Sequence, residues 1–105
     1  MNDDLLNQQQ QLAIELNEEV GQGIYSNLAI ITHSPSEFVV DFVRVMPGIP
    51  KANVKSRIIL TPEHAKRLMM ALQDNILKYE SLYGNIQVKH ENVIPIAFGG
   101  PTGQA

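Results

Sequence analysis

Residues 24–83 read IYSNLAIITHSPSEFVVDFVRVMPGIPKANVKSRIILTPEHAKRLMMALQDNILKYESLY, and a change of hydrophobic period within them decides the fold. Three strand-like segments, about Ile24 to His33, Glu37 to Met46 and Lys51 to Leu60, are followed by a stretch in which apolar residues recur every third or fourth position. Ser34, Pro35 and Ser36 separate the first two segments, and Pro47, Gly48 and Pro50 separate the next two. Proline presets one backbone angle and serine hydroxyls bond locally, so both breaks are tight reversals. Connections this short join antiparallel neighbours. The expected fold class is α+β: an antiparallel meander of three to four strands followed by one long amphipathic helix packed on one sheet face.

The helix start is written in three residues. Thr61 is an N-cap whose hydroxyl accepts a free helix amide, Pro62 takes the first helical position where its missing N–H costs nothing, and Glu63 suits the positive end of the dipole. His64 stands where a capping box would have Glu or Gln. Ala65, Leu68, Met69, Leu72, Ile76, Tyr79 and Tyr83 then fall on one stripe, and Gly84 is the expected stop. Burying that stripe contributes on the order of 10 kcal/mol before conformational entropy is set against it.

Upstream, Leu12, Ile14 and Leu16 alternate with polar neighbours between Gln11 and Asn17, the pattern of a further half-buried strand, with a short helix through Glu18 and Val20 as the alternative. Residues 1–10 form a polar, glutamine-rich leader and residues 99–105 a Gly/Pro-rich tail, both expected to be flexible, with a single domain over residues 11–98. A chain of 105 residues buries roughly 60–65% of its unfolded surface, enough for one core. An apolar share of 44% against 18% charged excludes wholesale disorder. There is no cysteine, which removes disulfides, thiolate nucleophiles and cysteine metal sites. The first residues lack the basic-then-apolar order of a secretory signal, and no apolar run approaches membrane-spanning length. Cytoplasmic residence without a membrane partner is therefore expected.

Both sides of the second strand are apolar. Phe38, Val40 and Phe42 alternate with Val39, Val43 and Val45, broken only by Asp41, and the first strand repeats the pattern with Leu28 and Ile30 against Ala29 and Ile31. An antiparallel sheet with one wet face alternates more cleanly, so a second layer is needed. Val93, Ile94, Ile96 and Phe98 of the C-terminal segment are one source of it, and another subunit or a bound ligand are the others. The expected oligomer or partner interface is Ala29, Ile31, Val39, Val43 and Val45, with the chain itself as partner and a protein client as the alternative occupant.

Six of the eight basic residues lie between Arg44 and Arg67, and Lys51, Lys55 and Arg57 share strand parity. They form a candidate anion site. The bland reading is an edge strand whose lysines deter aggregation. Nucleic acid is disfavoured, because the chain carries a net charge of −3 and no aromatic residue interleaves the basic strand. Candidate chemistry is sparse. His33, His64 and His90 lie on separate elements without ligand spacing, so neither metal nor cofactor is expected. No catalytic residue is assigned; an enzyme would need an intersubunit site built from Asp41, Arg57 and His64.

The successions Ile24-Tyr25-Ser26-Asn27, His33-Ser34-Pro35-Ser36-Glu37-Phe38-Val39-Val40-Asp41-Phe42 and Val54-Lys55-Ser56-Arg57-Ile58-Ile59-Leu60-Thr61-Pro62-Glu63-His64-Ala65-Lys66-Arg67-Leu68 resemble the prokaryotic domain-of-unknown-function family 3467. The ending Phe98-Gly99-Gly100-Pro101-Thr102-Gly103 is also similar to its members, so the resemblance runs from about Leu12 to the C-terminus. It implies no activity and transfers no functional residue. The order of elements also resembles that of SecB-type export chaperones, an analogy without any shared motif. The leading expectation is a small homo-oligomeric protein-interaction, chaperone-like module, with an anion or nucleic-acid binder and an enzyme as the alternatives.

Overall fold

The computed structural model describes residues 11–89. The expected leader at 1–10, the tail at 99–105 and the candidate covering residues Val93, Ile94, Ile96 and Phe98 all lie outside that range. Within it a short helix α1 (Glu18–Gly21) precedes three strands, β1 (Leu28–His33), β2 (Phe38–Arg44) and β3 (Asn53–Leu60), and the long helix α2 (Pro62–Tyr83). The sheet is antiparallel with order β1-β2-β3, the expected meander.

The reversals form where the residue types place them. Between β1 and β2 the Ser34 amide donates to the Glu37 carbonyl at 2.9 Å, and the Ser36 amide donates to Ser34 Oγ. His33 and Phe38 stack across the end of the hairpin, ring centroids 5.5 Å apart. Between β2 and β3, Gly48 adopts φ +80° after Pro47 while the Ile49 amide bonds back to Met46. Proline followed by a positive-φ glycine is the pattern of a type II turn.

Two expectations at the N-terminal side are corrected. Residues 11–17 form no strand, and Leu12, Ile14 and Leu16 are exposed. Alternation permits a strand, but a strand also needs a ladder to join, and these residues join neither edge of the sheet. The short helix that competed with it forms instead: Asn17 Oδ1 accepts the Val20 amide at 2.8 Å, and Glu18 and Glu19 sit in the first turn. The first strand begins at Leu28 rather than Ile24 because Ser26 and Asn27 close its end with side chains. The single Ser26 hydroxyl proton is shared between the carbonyls of Leu28 and Val43, while the Asn27 side-chain amide both donates to the Val45 carbonyl and accepts from the Val45 amide.

The helix forms as its start and stop signals require. The Thr61 hydroxyl oxygen accepts the His64 amide at 3.1 Å, Pro62 opens the helix, and Gly84 ends it at φ +97° with its amide on the Glu80 carbonyl. Its packing differs from expectation. No residue of α2 is buried, and the stripe residues Leu72 and Tyr83 are 57% and 73% exposed. One residue, Thr61, stands between Leu60 and Pro62, a shorter link than the roughly 2–6 residues that ordinarily join a strand to a helix packed on its sheet. Among the described residues, the buried apolar side chains are Val40, Val43 and Leu60, all in the sheet. No helix among them is long and apolar enough to cross a membrane.

Candidate functional site

The five expected interface residues divide between the two faces of the sheet. Directly opposed residues point to the same side. Ala29 opposes Phe42 and Ile31 opposes Val40, which in turn opposes Ile58, so these lie on a first face. Val39 and Val43 lie on the second face with Thr32 and Leu28. Val45 follows β2, its backbone clamped by Asn27. Alternation within a strand is legible from the residues, but the phase between strands depends on register, and a shift of one residue exchanges the faces.

The first face borders a wide hollow of about 940 Å³, whose walls include Val20 and Ile24 from the N-terminal side and Ala29, Phe42, Ser56 and Ile58 from the sheet. Ile31 and Ile58 on this face are 62% and 42% exposed. The second face carries the polar centre of the molecule. Asp41, only 2% exposed in the middle of the central strand, opposes Arg57 directly. The guanidinium closes on it in a fork, Nε donating to Oδ1 at 2.6 Å and Nη2 to Oδ2 at 2.8 Å. Those hydrogen bonds, with the charge beside them, hold the Asp41 carboxyl below its ordinary value against the opposing effect of burial, and raise Arg57 in turn. A carboxylate at this position is tolerated because both its oxygens are paired.

That pair alters the reading of the basic strand. The equal parity of Lys51, Lys55 and Arg57 assumes unbroken alternation, and β3 breaks it. Phe42 opposes Ser56 while the next residue, Val43, opposes Val54, so Lys55 is the extra residue of a bulge. The phase reverses there, leaving Asn53 opposite Arg44, while Lys51 precedes the strand and Arg57 is committed to Asp41. The three cations are therefore not a single row. Asp41 and Arg57 meet, but His64 sits on the first turn of α2 and hydrogen-bonds to neither through its side chain. Among the described residues no group of three or more His, Asp or Glu is placed to hold a metal ion, and His90 lies outside them.

Among the described residues, α2 leaves a long run of apolar side chains exposed. Leu68, Met69, Leu72, Ile76, Tyr79 and Tyr83 form an exposed apolar stripe, with Tyr79 and Tyr83 tilted together at 4.9 Å. Ion pairs join Glu63 to Arg67 and Asp74 to Lys78 one turn apart. Ser26, Asn27 and the Asp41–Arg57 fork are structural positions that the alternation did not disclose. A polar residue at the foot of a strand and a lone acid in an apolar strand were their only signals.

A family model described as a protein of unknown function, DUF3467, matches residues 1–88. The match takes in the first eleven residues and stops before the ending at 98–103, so it is shifted toward the N-terminus relative to the resemblance read from the residues. No curated protein and no solved structure matches the chain, so the analogy in element order to SecB-type chaperones has no structural match behind it.

Proposed function

Because the chain belongs to the domain-of-unknown-function family 3467, a name that assigns no activity, we propose its function from the surface it leaves uncovered: it is a homo-oligomeric protein-interaction module. The observation that carries this reading is that nothing in α2 is buried while its apolar stripe runs the length of the helix. Most helical stability in proteins comes from packing an amphipathic face, and a contiguous apolar surface rimmed by polar residues marks an interaction site. The exposed side chains on both sheet faces, Ile31 and Ile58 on one and Val54 and Ile59 on the other, extend the same argument.

The proposed partner is the chain itself, with an apolar client segment as the chaperone-like alternative and the cytoplasm as the proposed setting. Anion or nucleic-acid binding by the basic strand is less supported, since Arg57 already holds Asp41 and the bulge divides its neighbours. An enzymatic site from Asp41, Arg57 and His64 meets the same objection.

Sedimentation equilibrium tests the proposal. The wild-type chain is expected to sediment at twice its mass or more, and Leu72→Lys, at a position where nothing in the same chain is displaced, is expected to return it to a single chain. A wild-type protein that sediments as one chain at every accessible concentration would refute the reading.

A further inference from the structure

The stripe on α2 has a finer spacing than amphipathicity requires. Ala65, Met69, Leu72, Ile76, Tyr79 and Tyr83 follow one another at intervals of four, three, four, three and four residues. That is the seam of a coiled coil, in which Met69, Ile76 and Tyr83 take the first apolar position of each heptad and Ala65, Leu72 and Tyr79 the second. The positions flanking the seam decide which way a partner helix runs. Lys66, Gln73 and Glu80 lie along one flank, and Leu68, Asn75 and Leu82 along the other.

We infer that α2 pairs antiparallel with α2 of a second copy about a two-fold axis near Asp74. This inference rests on the homo-oligomer reading above and specifies its contact. Reversing one helix sets each first-position residue level with a second-position residue of its partner. Every layer then obeys one register: Ala65 faces Tyr83, Met69 faces Tyr79, and Leu72 faces Ile76 of the other copy. The smallest side chain meets the largest, and the thioether meets an aromatic ring, a favourable contact. In the same register like flanks meet. Lys66 comes beside Glu80 of the other copy, twice by symmetry, Gln73 lies near its own equivalent, and Leu68 meets Leu82.

A parallel pair is poorer on every count. It stacks Tyr83 on Tyr83 and Ala65 on Ala65, and it places Leu68 against Gln73 with no opposite charges brought together. The side chains concerned are available in the single chain. Met69, Leu72 and Tyr79 are exposed, and the ion pairs within the helix use Glu63, Arg67, Asp74 and Lys78 rather than Lys66 or Glu80. Glu80 Oε2 accepts the Ile86 amide at 2.9 Å, which leaves the other carboxylate oxygen for a lysine. At 22 residues the helix spans about 33 Å, room for three heptads.

The absence of native cysteine makes the test clean. Asn75→Cys places two thiols on the same flank near the axis, and it is expected to form a disulfide-linked dimer on mild oxidation. Asp74→Cys, on the outward side of the seam, is expected to remain unlinked. Separately, Lys66→Glu and Glu80→Lys are each expected to weaken self-association roughly tenfold at low salt, because two attractive pairs become repulsive. An equimolar mixture of the two variants is expected to recover wild-type affinity as a heterodimer. A wild-type chain that is monomeric overturns this inference together with the reading it rests on. A wild-type dimer in which Asn75→Cys does not cross-link, or in which mixing restores nothing, overturns the antiparallel pairing and leaves the oligomer standing.

Discussion

Asp41 is the residue whose chemistry the rest of the sheet accommodates. It is the one acid of β2, flanked on both sides by apolar residues, and it lies directly across from the one arginine of β3. A carboxyl whose folded value lies below its unfolded value of about 3.9 contributes stability that is fully present above that value and is lost as pH falls through the folded value. The pair is therefore expected to leave stability level from neutral pH down to about pH 5 and to contribute to its loss below about pH 4. Asp41→Asn is expected to be less stable at pH 7 and to show a flatter acid limb in urea unfolding. Identical acid slopes in the two proteins would remove Asp41 as the source. The presence of an acid in an apolar strand is plain from the residues. Its partner is not, because choosing Arg57 over Lys55 requires knowing that Lys55 is the unpaired residue of a bulge in β3.

At the scale of elements, legibility follows how local the determining interactions are. The limits of α2 are set by Thr61, Pro62 and Gly84 acting on their immediate neighbours, and they are read correctly from the chain. Strand ends are less local: the Ser26 and Asn27 side chains reach residues 17 and 18 positions away to close β1 against β2. The faces of the sheet are less local still, which is why Ala29 and Ile31 part from Val39 and Val43. What covers the helix is the least legible, since a stripe requires burial without naming its partner. Thr61→Ala removes the hydroxyl that holds the His64 amide and is expected to cost about 1 kcal/mol. The loss should appear as a lower denaturation midpoint with an unchanged denaturant slope, and an unchanged midpoint would show the cap to be dispensable.

For the whole molecule, a core limited among the described residues to Val40, Val43 and Leu60 cannot offset the entropy of ordering a domain. Folding and assembly are therefore expected to be linked. Thermal unfolding of the wild type should shift to higher temperature as protein concentration rises, whereas Leu72→Lys should lose that dependence. A midpoint independent of concentration in the wild type would separate the two processes. The single residue between β3 and α2 adds a geometric consequence. Thr61 is extended at φ −68° and ψ 154°, its side chain is closed on the helix, and Pro62 stiffens the next bond. The direction in which α2 leaves β3 is therefore set by the backbone preferences of these two residues, a few positions along the chain from the arginine that holds Asp41.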